Sequence, residues 1–221
     1  MLIQIENYQA IKAELEQQNA VLVAVSKTKP PAAIREMYDL GHRDFGENYV
    51  QELVDKQALL PGDIRWHFIG HLQSNKVKYI APFVHLIHGI DSLKLLKEVD
   101  KQARKAGHVI DVLLQVHIAK EETKFGLDEA ELDSLLQSPE FSQLNYIRIC
   151  GLMGMASFSN DKDMVRSEFT TLKSLYDRYA NIQTTNCNFQ FLSMGMSGDY
   201  KLALEEGSNM VRIGSLLFGN R

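Results

Sequence analysis

The chain has 221 residues, of which 45% are hydrophobic and 24% are charged, so it can bury the core of one large domain. Its net charge of −4 argues against a general nucleic-acid-binding protein. No apolar run reaches the roughly 18 residues that a membrane span needs, and the polar, acidic N-terminus lacks the features of a signal or transit peptide. Cys150 and Cys187 fit no disulfide or metal-binding pattern. Together these features predict a cytoplasmic protein without a membrane segment.

Short apolar runs alternate with helix-like segments along the whole chain. The first, VLVAVS, is apolar on both faces, which is typical of a buried parallel strand. Strands are predicted at 21–26, 43–46, 66–70, 84–89, 109–118, 147–155, 189–193 and 210–213. Helices are predicted at 2–18, 30–40, 48–59, 74–80, 93–106, 128–136, 161–180 and 199–206, with a final turn at 215–218. Because parallel strands need crossover connections, eight such units predict an α/β fold, a closed (β/α)8 TIM-type barrel forming a single domain over 1–221.

Lys27 directly follows the first strand and is the first candidate for chemistry. It shares the alternation of Val21, Val23 and Val25, so it faces the barrel interior if they do. Desolvation disfavours an ammonium group there, and a neutral lysine amine is the nucleophile that forms a Schiff base. The alternation alone leaves open that Lys27 extends into water. Lys29 has the same alternation but lies beyond the strand, where we expect it to be solvated.

The loops after the seventh and eighth strands are rich in glycine and serine. They read SMGMSGD at 193–199 and RIGS at 212–215. Glycines, hydroxyls and helix N-termini suit an anion, and phosphate is often bound at this place in barrels of this type. Two ordinary turns would have the same composition, so both interpretations stay open. Arg212 could bind a phosphate, donate to a ring nitrogen or form a structural salt bridge.

The histidines form no recognisable metal site. His67 and His71 are four residues apart, but they span a strand and the loop after it rather than one helix turn. His85 and His88 are three apart on a strand and are therefore expected on opposite faces. No GxGxxG follows a strand and no GxxxxGK[ST] is present. We therefore expect no metal, dinucleotide fold or P-loop.

Seven stretches resemble the pyridoxal phosphate homeostasis protein family, also called the proline synthetase co-transcribed family. They are AVSKTKP at 24–30, FGENYVQEL at 45–53, WHFIGHLQSNK at 66–76, EETKFG at 121–126, GLMGMA at 151–156, FLSMGMSGDY at 191–200 and VRIGSLLFG at 211–219. The family is similar to the barrel domain of alanine racemase, a fold-type III protein that binds pyridoxal 5′-phosphate (PLP).

The resemblance implies that Lys27 carries PLP as a Schiff base. The cofactor-binding residues that it implies are Lys27, Asn48, His71, Met153, Met196, Ser197, Arg212, Gly214 and Ser215, with Gly195 nearby. Ser197, Gly214 and Ser215 would hold the phosphate. Arg212 would lie beside the pyridine nitrogen, which it would keep unprotonated, so PLP would be a weaker electron sink. Asn48, His71 and Met153 would line the pocket.

The chain ends soon after the eighth strand, whereas alanine racemase adds a β-rich domain and takes a second base from a dimer partner. We therefore expect no two-base racemisation. The resemblance implies a PLP carrier or buffer in intracellular PLP homeostasis, passing PLP to PLP-dependent apoenzymes or free amino acids. We expect a monomer that binds neither nucleic acid nor membrane. The alternatives are a low-activity amino-acid racemase, a Schiff-base aldolase acting on a sugar phosphate, and an interaction protein in which Lys27 is incidental.

Overall fold

The computed structural model describes residues 2–119 and 125–219, and its strands form one closed barrel. The strands are β1 Val21–Val25, β2 Asp44–Glu47, β3 Arg65–Phe68, β4 Leu86–Ile90, β5 Ile110–Val116, β6 Ile147–Gly154, β7 Gln183–Thr184, β8 Cys187–Met196 and β9 Met210–Ile213. The order across the sheet is β6-β5-β4-β3-β2-β1-β9-β8-β7, and β6 also pairs with β8. This pairing closes eight parallel strands into a barrel, which confirms the predicted fold.

Helices pack around the barrel, and the helix over Leu93–Ala106 has clear signals at both of its ends. They are α1 Ile5–Gln17, α2 Pro31–Asp39, α3 Val50–Leu59, α4 Val77–Ile80, α5 Leu93–Ala106, α6 Glu129–Gln137, α7 Lys162–Tyr179, α8 Tyr200–Glu205 and α9 Ser215–Phe218, with 3₁₀ turns at Ser74–Lys76 and Phe141–Gln143. In α5, the Ser92 side chain accepts from Leu95 N–H and Gly107 ends the helix at φ 80°. None of the described helices is both long and apolar enough to cross a membrane.

The apolar core has two layers because strand residues alternate between the barrel interior and the helices. Leu22 and Ala24 of β1 point outward into the large layer that also contains Ile34 of α2. Val23 points inward to a small cluster that fills the lower part of the barrel. Its buried members are Val23, Leu86, Leu113, Cys150, Met153 and Met210. The main cavity lies above this cluster, near the C-terminal ends of the strands.

The region before the seventh barrel strand differs from the prediction. The strand predicted at 189–193 is β8, which already begins at Cys187, and the two-residue β7 pairs antiparallel with its first part. The polar sequence TTNCN gives no sign of a strand. Cys187 is nevertheless 1% exposed, because it lies at the base of the barrel next to Ile149 of β6. Residues 215–218, predicted as a turn, form the short helix α9.

Candidate functional site

A cavity of about 660 Å³ lies above the interior cluster, at the C-terminal ends of the strands. Seven of the nine predicted cofactor-binding residues line it: Lys27, Asn48, Met196, Ser197, Arg212, Gly214 and Ser215. They follow or end β1, β2, β8 and β9, which lie in different parts of the sequence. The wall also contains Met155, Phe158 and Asp199, which the sequence analysis did not select.

Lys27 enters this cavity from the end of β1, as the strand alternation predicted. Val23 lies in the interior cluster and Val25 lines the cavity wall, two residues before Lys27. The chain then turns sharply, with Thr28 at φ 64°, a conformation that β-branched residues rarely adopt. The Thr28 N–H donates to Glu52 Oε1 at 2.6 Å and Lys29 N–H donates to the Ser26 carbonyl at 3.0 Å. These bonds hold the turn that contains Lys27 and follows β1.

A buried ionic cluster supports the same turn from the helix side of the sheet. Lys56 Nζ donates to the Ser26 carbonyl at 2.8 Å and to Oε1 of both Glu47 and Glu52 at 2.7 Å. The Ser26 hydroxyl donates to Glu47 Oε1 at 2.6 Å. Burial raises the pKa of Glu47, although Lys56 opposes that effect. The segment FGENYVQELVDK therefore supplies the charges that brace Lys27 without lining the cavity with them.

Lys29, the other lysine of the turn, is not solvated as expected. Its Nζ donates to the carbonyls of Phe218 and Gly219, at 3.0 and 3.2 Å. It thereby binds the backbone at the end of α9. This role distinguishes Lys29 from Lys27, although both residues line the cavity.

The loops after β8 and β9 meet at the cavity wall. The Gly214 N–H donates to Ser197 Oγ at 3.2 Å, which joins the two loops. Asp199 Oδ1 accepts from the Met196 N–H at 2.6 Å and so shapes the first loop. A Cβ at Gly214 would lie 3.2 Å from the Val25 carbonyl oxygen, so glycine lets β9 run close to β1. The two serine hydroxyls and the start of α9 face the same cavity, as the phosphate prediction requires.

Gly195 has a packing role rather than a place in the cavity wall. Its φ is +95°, and a Cβ there would lie 2.6 Å from the Cβ of Ala203 in α8. Glycine at this position lets α8 pack against β8.

Arg212 is buried in the cavity wall without an adjacent carboxylate among its described partners. Its Nη1 donates to the carbonyl and hydroxyl oxygens of Ser193, at 2.9 and 2.6 Å, and its Nη2 donates to the Gly154 carbonyl at 3.0 Å. Burial lowers the pKa of Arg212 to about 10, so the guanidinium stays charged at neutral pH. Because these described partners of Arg212 are neutral oxygens, its contacts fit a cation that is available to a ligand better than a structural salt bridge, the other role that the sequence allowed.

Two predicted pocket residues lie outside this cavity. Met153 belongs to the interior cluster, two residues below Met155, which lines the wall in its place. His71 lines a neighbouring cavity, which shares only Asn48 with the first. Its ring stacks on Phe125 at 4.0 Å, and Nδ1 lies 3.3 Å from Asp91 Oδ2. The residue after a strand cannot be assigned to one of two adjacent pockets from strand alternation alone.

Three further histidines, His67, His85 and His88, gather below the cavity. The rings of His85 and His88 both contact His67, with centroids 5.5 and 5.2 Å apart, so their expected placement on opposite faces is wrong. The reason is that β4 begins only at Leu86 and its register shifts between Ile87 and Ile90. Within residues 2–119 and 125–219, no group of three or more histidine, cysteine or acidic side chains could hold a metal ion.

Comparisons with known proteins agree with this architecture. The family model for the N-terminal domain of alanine racemase matches residues 5–221. The pyridoxal phosphate homeostasis proteins of Aquifex aeolicus and Escherichia coli are 43% and 40% identical, covering 91% and 90% of this chain and 87% and 85% of theirs. PipY of Synechococcus elongatus with PLP bound has a TM-score of 0.87 and 37% identity, covering 97% of this chain and 99% of PipY.

Alanine racemase from Bartonella henselae, at 17% identity and a TM-score of 0.69, shares the fold over 97% of this chain and 59% of its own. The agreement of the family model and of the relatives over almost the whole chain settles the family. The chain belongs to the pyridoxal phosphate homeostasis protein family, whose barrel is that of the N-terminal domain of alanine racemase.

Proposed function

We propose that this chain binds PLP in the cavity at the strand ends and acts as a PLP carrier or buffer in the cell. Lys27 would hold the aldehyde carbon of PLP covalently as a Schiff base. The observation that carries the proposal is that residues from four separate strand ends line one cavity around Lys27. The naming of the curated relatives and the PLP bound to PipY support it.

The donors in the cavity wall suit the groups of PLP. The hydroxyls of Ser197 and Ser215 and the backbone at the start of α9 fit a phosphate, and the Lys27 amine fits an aldehyde. Asn48 Oδ1 is buried without a donor among the described residues, so a donor on the ligand could satisfy it. When bound, PLP supplies an aldehyde and an electron-accepting ring. Arg212 can only donate, so beside the ring nitrogen it favours storage over carbanion chemistry.

The scarcity of acidic groups in the described part of the cavity wall favours cofactor binding over racemisation. A racemase needs an acid or base on the cofactor face opposite the lysine. Among the described residues that line the cavity, the only carboxylate is Asp199, which already accepts from Met196 N–H, and there is no tyrosine, histidine or cysteine. A low-activity racemase and a sugar-phosphate aldolase are therefore the alternatives that the experiment must separate.

Release of PLP would follow from amine exchange at the same carbon. We propose that a free amino acid or the active-site lysine of a PLP-dependent apoenzyme attacks that carbon and frees the Lys27 amine. The residues that line the cavity all come from one chain, and the exchange requires no residue from a second copy. We therefore propose that the protein is a monomer.

An absorbance spectrum, followed by borohydride reduction and peptide mapping, tests the proposal on the wild type, Lys27→Ala and Lys29→Ala. We expect a reduced adduct on Lys27 in the wild type and in Lys29→Ala, and none in Lys27→Ala. An adduct on Lys29, or no adduct in the wild type, would contradict the proposal. Enzyme-like turnover of L-amino acids would favour the racemase. A colourless protein trapped only with a sugar phosphate present would favour the aldolase.

A further inference from the structure

A row of buried polar side chains crosses the barrel interior below the cavity, and the proposed function does not use it. His67 of β3, His88 of β4 and Ser193 of β8 are at most 1% exposed. The row begins at Arg212 in the cavity wall and ends at Asp44, the first residue of β2, at the opposite end of the barrel. A polar row through an apolar interior is costly unless each member is hydrogen-bonded.

Each neighbouring pair in the row is within hydrogen-bond distance. Arg212 Nη1 lies 2.6 Å from Ser193 Oγ, and Ser193 Oγ lies 3.2 Å from His88 Nδ1. His88 Nε2 lies 2.9 Å from His67 Nδ1, and His67 Nε2 lies 3.1 Å from Asp44 Oδ1. The five side chains therefore form one continuous hydrogen-bonded chain.

The two ends of the chain fix its direction. A guanidinium only donates and a carboxylate only accepts. Because Ser193 Oγ accepts from Arg212, its own hydrogen is free to go to His88 Nδ1, its acceptor among the described residues. His88 then carries its hydrogen on Nε2 and donates to His67. His67 likewise carries its hydrogen on Nε2 and donates to Asp44.

The electrostatics of the row agree with this direction. Burial lowers the pKa of His88 well below its usual value, and the positive charge of Arg212 adds to that effect. Burial alone would raise the pKa of Asp44, but hydrogen bonds from His67 and Arg65 outweigh it and hold the carboxyl ionised. A second hydrogen on His67 would reverse its bond to His88 and take the acceptor away from Ser193.

We propose that Ser193, His88, His67 and Asp44 are positioning residues that hold the Arg212 guanidinium in the wall of the cofactor cavity. The inference rests on the proposed function, because Arg212 meets PLP only if the cavity holds PLP. The described partners of Arg212 are neutral oxygens, and the anion at the far end of its chain is Asp44. A change at Asp44 therefore reaches the bound cofactor through the position of Arg212, from the opposite end of the barrel.

Variants along the chain, compared with a matched pair off it, test this inference. Asp111 binds Arg148 through Nε and Nη2, both at 2.8 Å, as Asp44 binds Arg65 through the same two nitrogens. No described hydrogen bond links Asp111 to the histidines, so Asp111→Ala is the control for Asp44→Ala. His88→Leu breaks the chain inside the barrel, whereas His88→Gln keeps one acceptor and one donor.

The readouts are the absorbance band of the bound cofactor and the rate of PLP loss, with thermal melting of the cofactor-free protein as a check on folding. We expect Asp44→Ala and His88→Leu to shift the band and to lose PLP about tenfold faster, the effect of weakening one charge-assisted hydrogen bond. Asp111→Ala and His88→Gln should stay near the wild type. If the wild type binds PLP and Asp44→Ala behaves like Asp111→Ala in both readouts, the inference is wrong.

A cofactor-free measurement separates this inference from the proposed function. A wild type without a PLP adduct would refute the function but leave the chain testable by ¹⁵N NMR of labelled histidines. The chain requires His67 and His88 both to carry their single hydrogen on Nε2 at neutral pH. A hydrogen on Nδ1 of either ring would overturn the inference.

Discussion

Replacing Lys56 by methionine should destabilise the fold strongly, although the two side chains have similar lengths. Lys56 is 4% exposed, and its amine is the cation in contact with Glu47, which is fully buried. Glu47 Oε2 already has no partner among the described residues. Removing one member of such a buried pair typically costs about 3–5 kcal/mol, because the remaining charge is left uncompensated.

Protonation of Glu47 sets a ceiling on this cost. A buried glutamate can escape by taking up a proton, at about 1.4 kcal/mol for each pH unit above its unfolded pKa of about 4.3. The ceiling is therefore about 3.7 kcal/mol at pH 7 and about 1 kcal/mol at pH 5. Burial already raises the pKa of Glu47, and the loss of Lys56 raises it further. A carboxyl with a raised folded pKa destabilises the fold increasingly as the pH rises above its unfolded pKa, so the variant should lose stability from pH 5 to pH 7.

Urea unfolding at pH 5, 6 and 7 measures the free energy of unfolding. Lys173→Met is the control, because Lys173 forms an exposed pair with Asp177 at 2.6 Å and its loss should cost below about 0.5 kcal/mol at every pH. The double variant Glu47→Gln/Lys56→Met removes both buried charges and should recover most of the stability. A Lys56→Met penalty that stays the same between pH 5 and pH 7 would refute the reasoning.

Three further predictions concern the serine loop after β9, strand β6 and the turn after β1. Ser215→Ala should lose PLP about tenfold faster on dialysis at an unchanged melting temperature, because one hydroxyl donor to the phosphate is gone; unchanged retention would remove Ser215 from the phosphate site. Gly151→Ala should lower the free energy of unfolding in urea by more than about 3 kcal/mol, because φ is +145° and the new Cβ would lie 1.8 Å from the Phe191 carbonyl oxygen. Gly62 has open space around it, so Gly62→Ala is the control and should change the free energy of unfolding by less than about 0.5 kcal/mol. Thr28→Gly should stabilise the fold by up to about 1 kcal/mol, because the strain energy of threonine in the left-handed conformation, at φ 64°, exceeds the entropy cost of ordering a glycine. A clear loss of stability in urea unfolding would show that Thr28 is not strained.

The sequence predicted the barrel and most of the cavity for a physical reason. Parallel barrel strands are buried on both faces, so strands such as β1 and β5 are apolar runs whose ends are easy to find. The C-terminal ends of such strands meet at one mouth, which brings Lys27 and Ser197 together although 170 residues separate them. Strand alternation placed Lys27 on the interior side, and Val23, four residues earlier, does lie in the interior cluster.

The polar chain below the cavity could not be predicted in the same way. His67, His88 and Ser193 sit on three strands, and the His88–Ser193 contact spans 105 residues. Each taken alone is an ordinary interior position, and only the closure of the barrel brings them into contact. The hairpin of β7 and β8 was missed for a different reason, because its polar sequence resembles a loop until it pairs.

The different surroundings of Lys27 and Lys29 follow from the pairing of β1 with β9. In that pairing Val23 lies beside Arg212 and Ala24 beside Ile213, so the end of β1 runs next to Gly214 and the start of α9. This register brings Lys27 to the serine loops and the guanidinium. The same register places the end of α9 within reach of Lys29, whose amine binds the carbonyls of Phe218 and Gly219. One strand pairing therefore separates two lysines that the alternation cannot tell apart: Lys29 binds the end of α9, and Lys27 is the lysine that we propose for the ligand.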